Sequence, residues 1–516
     1  MGFPSSGAGR SSGGVLMART FTSHLGNRVR GSATPRPMNR FDNAQTTDEN
    51  RKHWANADSL AAVSQLTPAI RWRLGDRAQY ECQNNSYAAG LIRTLVNDTV
   101  GRGPRLQMET ADDRLNQAVE DYWRLWSAAA DWPLTSRVLT GVRYVRGECF
   151  GVFRESKRLA RMGCPVTLDL RLIEPRQVTD SWGPNWNTAA TEYGDDGIEC
   201  DEDGEVVAYR ILKRDPGDNR SYSAPLNPVR VDAANVLHWF VPDRPGQLRG
   251  YSPLTPALGI FAQLRRFTTA TLSAAEVASM LSGVMTQDGT LFGPGGAEVT
   301  AEESYATIDM VRGMLLTLPP GTKVEQFKPE QPTTNYEMFV NAKLRECGRC
   351  LNVPFGKIAG DHSRYNYSSG RLDDAPYWAD RDIERQALEA KVFNPFFHLW
   401  ARFAADALPA LLAFTGKPWE LKHSWHYDPR PTSDPVKDAT GDELNLTNAS
   451  DTLAGIAQRD GTTVEAILNQ REREMKMFTE RNLPLPAWLA GQPAPARPGD
   501  GMPQNPADAK GVALVA

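Results

Sequence analysis

The stretch VLHWFVPDRPGQLRG, residues 236–250, joins two segments of different hydrophobic periodicity. Its first five residues continue an alternating pattern, seen also over residues 205–212, that is typical of a β-strand. Beyond it, Pro253 and Pro256 precede a proline-free stretch up to Met285 in which apolar residues recur at helical intervals. The sequence therefore predicts strands that run into one long helix lined with small residues.

Helical and strand-like patterns are mixed irregularly in the first half of the chain. Residues 86–100 show helical spacing that ends at a glycine turn, and a second helix carries Trp123 and Trp126. Alternation then predicts strands over residues 142–153 and 168–173. Because strands and helices do not alternate regularly, we expect an α+β fold rather than a doubly wound parallel sheet.

The second half is mainly helical. A glycine-rich break follows the long helix, and a further helical run covers residues 336–351. The polar segment at 360–371 then leads into a long helical pattern from about Asp373, which Pro395 should kink. Short helices are expected over residues 444–481. The two helices before the polar segment thus flank a small β-like insert.

Composition excludes several classes of protein. The 516 residues carry 58 Lys and Arg against 62 Asp and Glu, a net charge of −4, which argues against a protein whose whole surface clamps nucleic acid. No apolar run is long enough to cross a bilayer. Six cysteines are too sparse for a disulfide scaffold and fit a reducing compartment. Residues 1–45 read as a flexible basic arm and 491–516 as a flexible Pro/Ala-rich tail.

No segment has the pattern of a nucleotide-binding loop. Gly356 and Lys357 lack the neighbouring glycines of a phosphate-binding loop, and the turn at 101–104 has a proline where a dinucleotide site needs a free N–H. Runs of acidic residues are more typical of solvated turns than of acid-base catalysis. The sequence therefore predicts neither a cofactor site nor a catalytic residue.

Two other pairs, one of cysteines and one of histidines, are candidates for thiol or metal sites. Cys347 and Cys350 have redox-motif spacing, but they lie within or near the end of a predicted helix, which favours packing over thiol chemistry. His423 and His426 lack further zinc ligands at suitable spacing, so structural histidines are favoured and no metal is expected. A thiol enzyme or a metal-dependent enzyme remains an open alternative.

The polar segment at 360–371 is the most unusual in composition, since it has no aliphatic anchor before its last residue. Such side chains can touch phosphates by charge and hydrogen bonds without reading base sequence, although an inert surface loop has the same composition. The candidate DNA-contacting residues are His362, Arg364, Tyr365, Asn366 and Arg371.

Several segments together resemble the lambda family of tailed-bacteriophage portal proteins, the head-tail connectors. The matching segments are AGLI (89–92), VGRGP (100–104), VRGECF (145–150), LIEP (172–175), VLHWF (236–240), RPGQLRG (244–250), VP (353–354), GD (360–361) and NYSS (366–369). The resemblance covers about residues 50–490, in order. Gly370 departs from it, because family members more often carry a small residue with a side chain there.

The resemblance implies a portal-type ring subunit with an α/β wing, a two-helix stem, a small β-containing clip and a helical crown. The implied regions are the N-terminal arm (1–45), wing (46–251), stem helix (252–285), clip (286–335), stem helix (336–351), tunnel loop (352–370), wing spine helix and following segment (371–430), crown (431–490) and tail (491–516). The small-residue helices would then face neighbouring subunits.

The resemblance also implies a function and partners. Identical subunits, commonly twelve, would form a ring at one capsid vertex of the virion, and double-stranded DNA would pass through it during packaging and ejection. The terminase large subunit would dock on the clip and hydrolyse ATP, and a major capsid or scaffold protein and a head-completion adaptor would also bind. Assembly would take place in the host cytoplasm, without a membrane. The structural alternative is another ring-forming head-completion protein.

Overall fold

The computed structural model describes most of the chain between residues 52 and 484. The described residues are 52–55, 57, 59–180, 194–218, 227–280, 284–287, 322–325, 335–363, 365–414, 416–431 and 434–484. The expected N-terminal arm and C-terminal tail lie outside them. The chain divides into two units, Met1–Leu60 and Ala61–Ala516. Residues 52–55 form a turn in the first unit, and all elements named below belong to the second.

Helices and strands are interspersed along the second unit. The α-helices are α1 (Ala62–Gln65), α2 (Pro68–Asn84), α3 (Ser86–Thr99), α4 (Asp113–Ala130), α5 (Trp132–Arg146), α6 (Lys157–Arg161), α7 (Leu258–Met280), α8 (Asn335–Arg349), α9 (Phe355–Ala359), α10 (Tyr367–Leu388), α11 (Asn394–Ala404), α12 (Pro435–Thr447), α13 (Leu453–Arg459) and α14 (Val464–Glu480). The strands are β1 (Arg105–Met108), β2 (Glu148–Glu155), β3 (Leu168–Ile173), β4 (Gly194–Asp195), β5 (Ile198–Cys200), β6 (Val206–Ile211), β7 (Val229–Asp232), β8 (Val236–Phe240), β9 (Val284–Gln287), β10 (Thr322–Glu325) and β11 (His423–His426). Within the described residues, no helix has both the length and the apolar character needed to span a bilayer.

The strands form small antiparallel sheets. The central sheet has the order β3–β2–β8, and Phe150 of β2 lies opposite Ile173 of β3 and His238 of β8. A four-stranded sheet, β4–β5–β6–β7, is linked to the chain after β3 by a bridge between Val178 and Ile211. Separately, β1 pairs with β11 and β9 with β10. All these pairs are antiparallel, so the expected α+β class is confirmed and a doubly wound sheet is excluded for the described strands.

An aromatic cluster closes the first hydrophobic core. Trp123 and Trp126 of α4 and Trp132 of α5 pack against Phe396 and Trp400 of α11, and all five side chains are buried. The rings of Trp132 and Phe396 stack with their centroids 4.3 Å apart. Burial of such large side chains contributes strongly to stability, and it ties α11 to helices far earlier in the chain.

A second core lies where α3, α7, α8 and α10 meet. Leu95, Phe261, Leu344 and Tyr377 are fully buried there, one from each helix. The first half of α7 is therefore an internal helix, whereas its second half, over residues 268–276, is mostly exposed. The long helix predicted from the proline-free stretch is confirmed over Leu258–Met280.

The boundary between α5 and β2 differs from the prediction. Residues 142–146 belong to α5 rather than to a strand, and β2 begins at Glu148. Gly147 separates the two elements with φ of 94°, a left-handed conformation that favours glycine. A short apolar run fits a buried helix as well as a strand, so alternation alone could not locate this boundary.

Helix α10 begins earlier than expected, at Tyr367 instead of Asp373. The side chain of Asn366 accepts a hydrogen bond from the Ser369 N–H at 2.8 Å, and the Asn366 N–H donates to Ser369 Oγ at 3.0 Å. This reciprocal capping box satisfies N–H groups that the first helical turn would otherwise leave without partners. The last part of the predicted polar segment is therefore helical.

The irregularity predicted at Pro395 is confirmed. Residues Glu389–Phe393 form a π-helical turn between α10 and α11, and Pro395 lies in the first turn of α11. Since proline has no N–H, the regular hydrogen-bond ladder cannot continue through this position, and the helix changes its winding there.

A buried ion pair between Arg249 and Glu148 lies where the central sheet meets the loop after β8. Arg249 Nη2 is 2.8 Å from Glu148 Oε1, and both side chains are fully buried. The guanidinium also donates hydrogen bonds to the carbonyl oxygens of Pro175 and Val178, each at 3.1 Å. One arginine therefore cross-links β2, the turn after β3 and the loop after β8.

Arg71 and His238 complete this charge cluster. Arg71 Nε is 3.4 Å from Glu148 Oε1, and its Nη2 binds the Asp196 carboxylate. Burial raises the pKa of Glu148, but the charge of Arg249, the hydrogen bond from His238 and the charge of Arg71 together hold that pKa well below its usual range. Burial lowers the pKa of His238. The neutral ring can therefore donate from Nε2 to Glu148 Oε2, 3.2 Å away.

Two glycines bring the backbones around this cluster into contact. A Cβ on Gly147 would lie 2.0 Å from the carbonyl carbon of Tyr251, and one on Gly250 would lie 2.3 Å from the Gly147 oxygen. The Gly250 N–H donates to Glu148 Oε2 at 2.9 Å. The segments VRGECF, LIEP and RPGQLRG, which are far apart in the sequence, therefore converge on one ionised carboxylate.

Arg249→Met should lower the free energy of unfolding by about 3–5 kcal/mol, because it leaves the Glu148 carboxylate buried without its arginine ion-pair partner. Arg124→Ala is the matched control, since its ion pair with Asp121 is on the surface and should contribute less than about 1 kcal/mol. Urea unfolding midpoints measure both. Equal losses in the two variants would show that the cluster does not hold the fold.

Candidate DNA-contacting loop

Residues 360–366, the connecting loop, join α9 to α10. Gly360 ends α9 with φ of 67°, a left-handed conformation. Within the loop, His362 and Asn366 are exposed and Tyr365 is partly buried. The predicted site residue Arg364 lies outside the described residues. The loop is shorter than the polar segment seen in the sequence because α10 begins inside that segment.

Tyr365 fixes the loop to the helices on both sides. Its hydroxyl accepts a hydrogen bond from the Gly356 N–H of α9 at 3.1 Å and also bonds to the Asp373 carboxylate of α10. Burial, followed by the effect of Asp373, raises the pKa of Tyr365, so the phenol remains protonated at neutral pH. The hydroxyl can therefore accept from one helix and donate to the other.

Gly356 provides the surface against which the loop packs. A Cβ at this position would lie 2.6 Å from His362 Nδ1 and 3.2 Å from Tyr365 Cε2. The two rings are themselves in contact, with centroids 5.7 Å apart. Any side chain at Gly356 would push the loop away from α9, so the loop position depends on glycine there.

The remaining predicted residues have different surroundings. Asn366 caps α10, as described above, so its side-chain oxygen already has a structural partner. Arg371 is exposed on α10 and borders a crevice of about 1080 Å³, whose lining includes Asp382, Asp428 and Arg430. The structure thus brings His362, Tyr365 and Asn366 together in one loop and places Arg371 in the helix that follows. Contact of these residues with DNA stays a prediction.

Sequence reasoning missed the residue that anchors α9. Lys357 Nζ is 3.0 Å from Asp98 Oδ2 of α3 and 4.6 Å from the centre of the Tyr377 ring. The Tyr377 hydroxyl donates to the same Asp98 oxygen at 2.8 Å. These partners are distant in sequence, so only the fold reveals that the base of the loop is held on α3.

Cys347 and Cys350 are packed against the second core. Cys347 is fully buried on α8, and the Cys350 thiol donates to the Cys347 carbonyl oxygen at 3.1 Å. Burial raises the pKa of both thiols, to about 12 for Cys347 and about 11 for Cys350. An activated thiol needs the opposite shift, so these surroundings favour the packing interpretation.

The two histidines of β11 have structural partners. His423 Nδ1 lies 2.8 Å from the Leu421 carbonyl oxygen, and its Nε2 lies 3.1 Å from Asn394 Oδ1. Burial lowers the pKa of His423 and of His426. In the part of the chain that is described, no group of three His, Cys, Asp or Glu side chains could hold a metal ion.

A family model described as "Phage portal protein, lambda family" matches residues 48–384. The chain belongs to the lambda family of phage portal proteins. The match includes the connecting loop and the charge cluster, and it ends within α10. The "Probable portal protein" of Halomonas phage phiHAP-1 is 23% identical to this portal protein over 440 residues, which are 81% of this chain and 83% of the relative.

Solved structures of gene transfer agent (GTA) particles are also similar to this portal protein. One described as "Neck of native GTA particle computed with C12 symmetry" is 13% identical, with a TM-score of 0.41, and covers 77% of this chain and 94% of its own. Another, "Virion of native gene transfer agent (GTA) particle", is 14% identical, with a TM-score of 0.38, and covers 78% of this chain and 97% of its own. Because both TM-scores are low, the family assignment rests on the sequence match.

Gly356→Ala should release the connecting loop of the portal protein from α9, because the new methyl group overlaps the His362 ring. We expect faster amide hydrogen exchange over residues 360–366, measured by mass spectrometry. Gly356→Ala combined with His362→Ala should restore much of the protection, since the second change removes the overlapping ring. Gly416→Ala, where a Cβ meets no atom within 4 Å, is the control. Unchanged exchange in Gly356→Ala would contradict the packing role.

Proposed function

We propose that this portal protein forms a closed ring at one capsid vertex, through which double-stranded DNA passes during packaging and ejection. The observation that carries the proposal is the family match over residues 48–384, which spans both long helices α7 and α8 and the connecting loop. The ring acts through its geometry, and a separate terminase supplies the ATP hydrolysis. The portal protein itself then needs no catalytic residue and no cofactor.

The proposed regions follow the order expected from the sequence. Helices α7 and α8 serve as the stem and lie on either side of the β9–β10 pair, which belongs to the clip. The central sheet belongs to the wing, α10 and α11 form its spine, and α12 to α14 form the crown. The order of these elements along the chain supports this division.

Exposed faces on the two stem helices support subunit contacts in the ring. On α7 the exposed residues after the buried half are small, including Thr269, Ala270 and Ala274, with Leu272 61% exposed among them. On α8, Met338 is 63% exposed. Small residues allow close helix approach, and apolar side chains this exposed favour burial against a neighbouring copy.

DNA contact is proposed for the connecting loop and the start of α10. The exposed His362 and Asn366 offer hydrogen-bonding groups, and Arg364 and Arg371 offer positive charge. Moving DNA requires phosphate contacts that are weak enough to break and reform. The net charge of −4 is consistent with that requirement, since strong basic clamps would hold the duplex in place.

Further partners belong to the same proposal. The terminase large subunit docks on the clip, and a major capsid or scaffold protein and a head-completion adaptor bind elsewhere on the ring. The ring assembles in the host cytoplasm and then becomes part of the virion. A different ring-forming head-completion protein is the alternative, which the order of stem, clip and stem elements disfavours.

Purified portal protein should contain closed rings, because the exposed stem faces would otherwise remain in water. Native mass spectrometry gives the number of subunits, and electron microscopy should show a central hole in top views. Leu272→Glu together with Met338→Glu should reduce ring formation, whereas the same charges at exposed Leu468 and Met477 of α14 should not. A strictly monomeric protein at all concentrations and salt conditions would contradict the portal proposal.

Arg364→Ala should leave rings intact but alter the completion of packaging or the retention of packaged DNA, because every subunit loses one phosphate contact. Arg364→Lys keeps the charge and should behave like the parent protein. Asn366→Asp keeps the α10 cap while adding negative charge, so it should weaken DNA retention without lowering stability. Nuclease-protected DNA per particle measures packaging and retention.

The inert-loop interpretation is tested by the same series of variants. If Arg364→Ala, Arg371→Ala and Asn366→Asp all assemble, package and retain DNA like the parent, the loop does not contact DNA. If the variants still form rings, the result counts against DNA contact by the loop and not against ring assembly.

A further inference from the structure

A narrow basic cleft lies between the helical spine and the central sheet. Its volume is about 380 Å³. One wall is the stripe formed by Lys391 of the π-helical turn with His398 and Arg402 of α11, and the opposite wall is the start of β8, including His238. All three residues line the same cleft, so their side chains face a single opening. The name basic cleft is used for this site below.

The positive charges of Lys391 and Arg402 in the basic cleft are not compensated by a lining residue. None of the residues that line it is acidic. Lys391 and Arg402 are exposed and make no ion pair with any described residue. Earlier on the same spine, by contrast, Arg385 lies 3.5 Å from Asp382 and Arg381 pairs with Asp380. The spine thus changes from paired arginines to unpaired cations where it borders the cleft.

The His398 side chain reflects this electrostatic environment. Burial lowers its pKa, and the charges of His423 and Arg402 lower it further. An anion placed in the basic cleft would therefore interact favourably with both Lys391 and Arg402, in a partly buried site where such interactions are screened less than on the open surface.

Apolar side chains continue the cleft beyond Arg402. An adjoining apolar surface with almost no free volume shares His398 and Arg402 with the cleft and is otherwise formed by Ala401, Leu411, Phe414, Pro418 and Leu421. Next to this surface in the chain, Leu412 is 61% exposed and Trp419 is 71% exposed. Tryptophan and arginine beside an apolar surface is a combination enriched at the centres of protein interfaces.

We propose that the basic cleft docks an acidic segment of another protein, with carboxylates against Lys391, His398 and Arg402 and an apolar side chain against Trp419. A cleft of this size accepts side chains, whereas a DNA duplex could touch only its rim. The sugar-phosphate backbone also has no apolar group to cover Leu412 and Trp419. Charge complementarity and the apolar flank therefore favour a protein segment. The basic cleft is separate from the connecting loop, and this proposal does not depend on DNA contact by that loop.

The probe is a fluorescein-labelled peptide in which Asp and Glu alternate with Leu and Phe, titrated with the assembled portal protein by fluorescence anisotropy. We expect saturable binding that weakens as salt increases. Lys391→Glu with Arg402→Glu should weaken it by about tenfold or more. Trp419→Ala should weaken peptide binding but leave its salt dependence unchanged. Arg473→Glu on α14 with Arg481→Glu directly after it, the same charge change at exposed positions, is the matched control and should bind like the parent.

A charge swap provides the complementary test. The peptide with Lys in place of every acid should bind the Lys391→Glu/Arg402→Glu variant and not the parent. The proposal is overturned if the acidic peptide does not bind, or if it binds the variant and the parent equally. It is also overturned if a short DNA duplex displaces the peptide by binding at the cleft, or if the variant changes the subunit number, which would assign this surface to a second copy of the chain.

Discussion

The buried ion pair between Arg249 and Glu148 is the constraint on which the rest of the central region depends. Taking two charges out of water has a large desolvation cost, which is offset only when their remaining hydrogen-bonding groups also find partners. Here the arginine fulfils that condition through carbonyl oxygens of the turn after β3, and the carboxylate through Arg71, His238 and a backbone N–H. The strands and loops must therefore come together at one point for the charges to be buried at all.

This requirement explains why short glycine-containing segments matter more than the apolar pattern around them. The backbones at Gly147 and Gly250 are so close that neither position has room for a side chain. This close contact places Glu148 within ion-pair distance of Arg249. An apolar core alone tolerates many substitutions of similar volume. A buried charge with fixed partners does not, because a shift of one ångström already breaks its hydrogen bonds.

Much of the fold could be predicted from the sequence, but little of the site. Long helices such as α7 and α8 follow from periodicity, whereas the order of regions implied by the resemblance stays a prediction. The end of α5 at Arg146 and the start of α10 at Tyr367 could not be predicted, because they depend on a glycine conformation and on a capping pair. The loop composition was visible, yet its attachment to Gly356 and Asp98 arises from residues that only the tertiary structure brings together.

The π-helical turn at Glu389–Phe393 determines how α11 is rotated about its axis relative to α10. A π turn amounts to one extra residue in a helix, and one residue corresponds to about 100° of rotation. Without it, the face that carries Phe396 and Trp400 would be directed away from the aromatic core, while α10 kept its own contacts. The length of the segment between Leu388 and Asn394 therefore matters beyond its composition. An insertion or deletion of a single residue there would rotate the whole of α11.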